Sequence, residues 1–169
     1  MPIISREEAH GLLRHSRKRA HSLLVSRIMR FLAEKFGGDR DEWELVGLLH
    51  DIDYDQVQGD MTKHGMVASK ILRGKLPERS LRAIRTHDHR TGLEPKTTLD
   101  RSLIFADSLA ILLEDQGIDS CSDASGLQEA LEKETASKPW IAMNIVQYAN
   151  QNEVSFSCLW RWLHVAEDR

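Results

Sequence analysis

The chain has 169 residues, of which 41% are hydrophobic and 29% charged, a composition typical of one globular domain and not of a disordered or fibrous protein. Its net charge of -3 disfavours a general nucleic-acid binder. We expect no secretory signal, because the N-terminus has no apolar core followed by a small-residue cleavage site, and no membrane span, because no apolar run approaches roughly 20 residues. Cys121 and Cys158 form no C-x-x-C pair, which favours a cytoplasmic location.

Almost every segment of the N-terminal half has apolar residues at helical period, which predicts an all-α fold. Ser5 opens a short first helix, and a second helix is predicted from about Ser16 to Phe36. A third is predicted from about Arg40 to His50 and Asp51, followed by YDQVQGD as a loop. Asp60 is a suitable cap for a fourth helix from about Met61 to Leu72.

The C-terminal half continues the same pattern. Pro77 suits the first turn of a helix that reaches about His89, and the polar segment RTGLEPKT follows it. The segment TLDRSLIFADSLAILLEDQG is the most hydrophobic predicted helix, and three further helices are predicted over residues 125–137, 139–150 and 155–166. We therefore expect one domain over residues 1–169, with a helical extension from about residue 120.

Some polar side chains lie on predicted apolar helix faces, where their burial is costly unless a partner compensates it. Asp107, for example, has Leu103 one turn before it and Ile111 one turn after it. The set comprises His21, His50, Asp51, His64, His87 and Asp107. Taken singly, each histidine is compatible with a satisfied core residue, and the aspartate with a helix cap or an arginine pair.

Taken together, these residues predict a metal site. Neutral imidazoles and carboxylates are ligands of Fe, Mn, Zn, Co and Ni, with Mg also compatible, and a cation makes a buried aspartate tolerable. The excess of ligands over four suggests two ions bridged by a carboxylate. A strict antiparallel pair of the second and third helices would leave His21 and His50 offset by roughly 8 Å, a gap that helix tilt or side-chain reach must close.

Three segments, AHSLLVSRIMRFLAEKF, LVGLLHDIDYD and SLIFADSLAILL, resemble the HD superfamily of metal-dependent phosphohydrolases. This family carries an ordered His…His-Asp…Asp set on a helical bundle, and the resemblance covers about residues 18–114. It implies that His21, His50, Asp51 and Asp107 bind a first ion. The further histidines in MTKHGMVASKIL and AIRTHDHRTG are similar to those of binuclear branches, including the diadenosine tetraphosphate hydrolases, and imply that Asp51, His64 and His87 bind a second ion.

The chain also departs from the usual motif. Many relatives read His-Asp-Ile-Gly-Lys, whereas Asp53 and Tyr54 stand here in place of Gly-Lys and remove a cation that would contact substrate phosphate. The motif HDIDY resembles that of a subgroup of predicted HD hydrolases and leaves the substrate open. Asp53 and Asp55 either orient a ligand histidine or water, or cap a loop. No Gly-Tyr-Pro element is present, which disfavours a cyclic dinucleotide phosphodiesterase.

The resemblance and the ligand set predict hydrolysis of a phosphate ester or anhydride in a nucleotide-like substrate, with Asp51 beside the attacking hydroxide. Lys63 and Arg85 are the cations nearest in sequence to His64 and His87, and we expect them to contact phosphate. Two alternatives stay open: an HD-fold two-iron oxygenase, and a metal- and nucleotide-binding regulatory module. A homo-oligomer is compatible with the sequence. Trp140, Trp160 and Trp162 are expected to belong to a partner surface or to the core.

Overall fold

The computed structural model describes residues 4–117 and 123–165 of the chain. Within these ranges the regular secondary structure is helical, apart from a single bridge between Arg73 and Leu76, and the predicted all-α fold is confirmed. No helix in the described ranges combines the length and the apolarity that crossing a membrane requires. Cys121 lies outside the described residues.

The chain divides into two compact units, residues 1–104 and 105–169, and the boundary falls inside a helix. The first unit contains α1 (Arg6–Leu12), α2 (Arg19–Phe36), α3 (Arg40–Leu49), α4 (Tyr54–Val57), α5 (Met66–Ile71), α6 (Glu78–Thr86), a 3-10 turn (His89–Thr91) and the start of α7 (Thr98–Gln116). The second contains the rest of α7, α8 (Ala124–Ser137), α9 (Pro139–Asn152) and α10 (Phe156–Val165). A single domain over residues 1–169 stays a prediction.

The helices α2 and α3 form a tightly packed pair in the first unit. Gly37, in the left-handed region at φ 66°, ends α2, and Asp39 caps α3 by accepting hydrogen bonds from the amides of Asp41 and Glu42, each at 3.0 Å. The two helices are in close contact at Gly47, where a Cβ would lie 2.8 Å from the Cα of Ser26. Only glycine allows the two backbones to approach this closely.

This contact also corrects the predicted offset between His21 and His50. His50 lies three residues beyond Gly47, and His21 lies five residues before Ser26 on the opposing helix. A difference of two residues corresponds to roughly 3 Å along the helix axis instead of roughly 8 Å. The sequence estimate took the Gly37–Asp39 turn as its reference point, whereas the glycine contact sets the actual register.

The boundaries of α4 and α5 differ from the prediction. The helix predicted over residues 61–72 begins only at Met66, because Gly65 interrupts it at φ 77° and the buried Asp53 accepts hydrogen bonds from the amides of Gly65 and Ala68. Asp60 is not the cap, and its carboxylate instead accepts from Thr62 and Lys63. The prediction of a loop for YDQVQGD was wrong for its first four residues, Tyr54–Val57, which form α4.

Helix α6 is also shorter than predicted, and two buried carboxylates hold it in place. It ends at Thr86, with His87 as its C-cap. Glu42 of α3 accepts hydrogen bonds from Ser80 at 2.5 Å and from Arg79, while Asp100 in the first turn of α7 accepts one from Arg82 at 2.8 Å. The position of His87 is therefore fixed through both neighbouring helices.

The second unit follows the prediction closely. Asp123 caps α8 through the amide of Gly126 at 2.7 Å, and Pro139 opens α9. Phe105 stacks on Tyr148 with ring centroids 4.5 Å apart, which forms part of the core of this unit. Trp140 is 44% exposed, and Trp160 and Trp162 are half-buried, so neither predicted role of the tryptophans is decided.

We expect Glu42→Gln to destabilise the protein at neutral pH more than in acid. Burial alone raises the pKa of Glu42, but hydrogen bonds from Arg79 and Ser80 outweigh it and lower this pKa below its usual 4.5. The stabilisation is therefore present above pH 4.5 and disappears as the pH falls through the folded-state pKa. Urea unfolding should show a loss of about 1.5–3 kcal/mol at pH 7, shrinking in acid.

The matched control is Glu78→Gln, which removes the same charge from a side chain that is 76% exposed and paired with Arg85. This surface pair should contribute less than about 1 kcal/mol. Equal losses of stability for the two variants, or a loss for Glu42→Gln that persists unchanged in acid, would contradict the conclusion that the buried Glu42 carboxylate holds α6 against α3.

Candidate metal centre

Five predicted ligands of the first unit lie close together, each at the end of a helix. His21 is in the first turn of α2, His50 and Asp51 follow the last turn of α3, His64 precedes α5, and His87 caps α6. All five are buried, with at most 6% of their surface exposed. Because helix ends meet here, the side chains converge although they come from separate stretches of the chain.

The carboxylate of Asp51 is the centre of this cluster. Its Oδ1 lies 3.2 Å from His50 Nε2, 3.0 Å from His64 Nε2 and 3.5 Å from His87 Nε2, and its Oδ2 lies 3.8 Å from His21 Nε2. Ligands bound about 2.1 Å from one ion lie about 3 to 3.5 Å from each other, so the three spacings from Oδ1 suit metal coordination, and the spacing from Oδ2 to His21 is slightly longer.

Two groups of three ligands share this aspartate. One consists of His21, His50 and Asp51, the other of Asp51, His64 and His87, and within each group the ligand atoms lie within 4.8 Å of one another. Each group is compatible with one ion, and a shared carboxylate is the usual way in which proteins join two ions at close range.

Hydrogen bonds donated by the ring nitrogens that face away from Asp51 fix His50 and His87 in a ligating orientation. His50 Nδ1 donates to the carbonyl of Gly47, and His87 Nδ1 to that of Ile84, both at 2.7 Å. A carbonyl only accepts, so each Nδ1 carries a hydrogen, and Nε2, the nitrogen that faces Asp51, is the one that could bind a metal ion. His87 Nε2 and His64 Nε2 lie 3.2 Å apart, an arrangement that requires a hydrogen or a cation between them.

The surroundings stabilise positive charge at this centre. Burial alone raises the pKa of Asp51, but His50 and hydrogen bonds from His64 and His87 outweigh it and hold this pKa well below its usual value. Burial lowers the pKa of His64, yet hydrogen bonds to Asp51 and Asp53 raise it to about 10. The C-terminal ends of α3 and α6, which carry partial negative charge, also meet at the centre. A cation therefore fits the donor set.

Asp53 fulfils both roles that the sequence left open. It is fully buried, and its Oδ1 accepts a hydrogen bond from His64 Nδ1 at 2.8 Å. Its Oδ2 accepts from the amides of Gly65 and Ala68, both at 2.8 Å. One carboxylate thus orients a candidate ligand and caps α5. Asp55 differs, because it lies outside the centre and pairs with Arg17 at 2.6 Å.

Gly65 shapes the cluster and was missed by the sequence analysis. A Cβ at this residue would lie 2.4 Å from the carbonyl oxygen of Ile84 and 3.3 Å from His87 Nδ1. Glycine therefore permits the contact that places His64 beside His87. The available signal was a glycine directly after a candidate ligand inside a predicted helix, where glycine is unfavourable.

The other predicted site residues lie outside this cluster or in the second unit. Lys63 is exposed and pairs with Asp60 at 2.6 Å, and Arg85 is bound to Ser69 at 3.0 Å and to Glu78 at 2.5 Å. Asp107 is half-buried on the part of α7 that belongs to the second unit, and its role as a ligand stays a prediction. His89, whose role the sequence left open, has a side chain that is 70% exposed.

Comparison with known proteins gives one family match. A family model described as HD domain matches residues 19–112, which include each residue of the cluster. No curated protein and no solved structure matches the chain significantly.

We expect Asp53→Asn to weaken metal binding by about 10- to 100-fold, because the amide cannot accept all three hydrogen bonds and no longer fixes the His64 ring. The affinity for Mn²⁺ or Zn²⁺, measured by competition with a chelating dye, tests this. Asp55→Asn is the matched control from the same acidic run, and its affinity should not change. Unchanged affinity in folded Asp53→Asn would contradict the orienting role.

Proposed function

Because the chain belongs to the HD domain family, most of whose members are metal-dependent hydrolases, we propose that it is a metal-dependent phosphohydrolase. The proposed reaction is hydrolysis of a phosphate ester or anhydride in a nucleotide-like substrate. The observation that carries the proposal is the convergence of four imidazole Nε2 atoms on the buried carboxylate of Asp51. Such a donor set is costly to bury without a cation.

We assign His21, His50 and Asp51 to one ion, with Asp107 as the further ligand that the family resemblance implies. Asp51, His64 and His87 are assigned to a second ion. Fe, Mn, Zn, Co or Ni suits this nitrogen and oxygen set, and Mg is compatible with it. When bound, such ions lower the pKa of a coordinated water and stabilise charge on phosphoryl oxygens.

The side chains of the centre have distinct tasks in this proposal. Asp51 is ionised at neutral pH and is shared by the two ligand groups. In the proposed reaction it accepts a hydrogen bond from the attacking water. Asp53 and the carbonyls of Gly47 and Ile84 keep the histidine rings in place throughout the reaction. This fixed arrangement supports catalysis because it needs little reorganisation at the transition state.

The nucleotide-like substrate rests on the resemblance to binuclear HD branches. The histidine pair His64 and His87, placed between the His-Asp doublet and the last aspartate, is similar to that of the diadenosine tetraphosphate hydrolases. A phosphate anhydride is therefore our first candidate, and the HDIDY subgroup leaves the organic part open. Lys63 and Arg85 remain proposed phosphate contacts, which their present partners, Asp60 and Glu78, would have to release.

We expect the purified protein to contain a transition metal and to hydrolyse at least one member of a panel of nucleotides and dinucleoside polyphosphates. Asp51→Asn should lower kcat by at least about 10³-fold, because it removes the charge shared by both ligand groups. Elemental analysis, circular dichroism and phosphate release are the measurements. Asp55→Asn serves as the control and should retain turnover.

Two outcomes would contradict this proposal. Full turnover in Asp51→Asn would exclude the assigned centre. A folded, metal-loaded protein that hydrolyses nothing but consumes O₂ with iron would indicate the oxygenase alternative, and one that binds nucleotide without any turnover would indicate the regulatory module.

A further inference from the structure

A lysine side chain, that of Lys18, lies near the candidate metal centre, although the lysine that is usual in the His-Asp motif is absent. The ammonium of Lys18 is 4.5 Å from the ring centroid of Tyr54, the residue that stands in place of that lysine. The Tyr54 ring in turn packs edge-on against His64, with centroids 5.7 Å apart. His64 Nε2 is 3.0 Å from Asp51, so Lys18 is two ring contacts away from the candidate ligands.

The backbone also ties Lys18 to the centre. Lys18 is the N-cap of α2, and its amide donates to Ser16 Oγ at 3.1 Å. His21 lies one turn further along the same helix. The backbone of Lys18 is thus connected to one ligand group through α2, and its ammonium to the other through the Tyr54 ring.

The neighbouring cations are already paired with carboxylates. Arg17 binds Asp55 through its guanidinium at 2.6 Å and through its amide at 3.1 Å, and Lys63 binds Asp60 at 2.6 Å. Lys18 attracts Asp55 only at longer range, and within the described parts of the chain its ammonium makes no hydrogen bond. A contact with a ring face positions an ammonium but leaves its N–H donors available for an anion.

We propose that Lys18, positioned by Tyr54, binds a substrate phosphate beyond the one held at the metal centre. This inference rests on the proposed function and narrows it to substrates with two or more linked phosphates. A monoester offers only the phosphoryl group that faces the ligands, whereas an anhydride offers a second anionic group further out. Lys18 therefore acts as a specificity residue, and Tyr54 as its positioning residue.

Binding of two inert probes to the Mn²⁺-loaded full-length protein tests the inference without turnover. Methanephosphonate carries one phosphonate group, and methylenediphosphonate carries two and has no hydrolysable bridge. Lys18→Met should weaken methylenediphosphonate binding about tenfold and methanephosphonate binding by less than about twofold. Isothermal titration gives both affinities, and metal content measured before and after the titration excludes loss of Mn²⁺ to the probe.

Two matched pairs of variants separate this role from general charge or packing. Tyr54→Phe retains the ring face and should bind like the unmodified protein, whereas Tyr54→Leu removes it and should weaken methylenediphosphonate binding about two- to fivefold. Lys70→Met removes the same charge from an exposed position on α5 and should leave both affinities unchanged.

Equal effects of Lys18→Met on both probes, an equal effect of Lys70→Met, or no binding of methylenediphosphonate overturns the inference. Its failure differs from that of the proposed function. If the probe affinities behave as expected but no substrate is hydrolysed, Lys18 binds linked phosphates in a protein that is not a hydrolase. If hydrolysis occurs but Lys18→Met changes the affinities for the two probes equally, the proposed hydrolase function is supported and the proposed role of Lys18 is contradicted.

Discussion

The charge of one buried carboxylate, Asp51, imposes the main constraint on the first unit. An ionised carboxylate loses most of its hydration when it is only 3% exposed, and this cost must be offset by groups that are already in place. The imidazoles of His50, His64 and His87 provide part of this compensation, and together with His21 they come from helix ends or the segment before α5. The fold therefore has to bring the start of α2, the ends of α3 and α6, and the segment before α5 to one point.

Close backbone packing is what makes this convergence feasible. Gly47 lets α3 approach α2 closely enough to reduce the offset between His21 and His50, and Gly65 lets the segment before α5 contact the end of α6. Gly65 directly follows His64, and Gly47 lies one turn before His50. A methyl group at either position would displace a ligand histidine together with the backbone that carries it, so packing and chemistry are coupled there.

Hydrophobic periodicity predicted most helices and all five residues of the candidate metal cluster. An apolar stripe marks the buried face of a helix, and a polar residue on that face needs a partner. Periodicity could not predict the start of α5. That boundary depends on Asp53, twelve residues earlier than Gly65, and a contact between distant residues leaves no periodic signal. The register of α2 and α3 was missed for a similar reason, since Gly47 packs against a residue far from it in sequence. Local pattern finds the ligands, but long-range contacts determine their geometry.

A purely structural network of polar side chains explains the centre less well than a metal site. In such a network each buried donor faces an acceptor, yet His64 Nε2 and His87 Nε2 face each other at 3.2 Å while their Nδ1 atoms are directed at oxygen acceptors. A proton on His64 would satisfy this pair, but His21 and His50 approach the same carboxylate as a second group. Divalent cations would satisfy both groups at once, and Asp53, which strengthens the preference for positive charge at His64, would then contribute to metal affinity as well as to the start of α5.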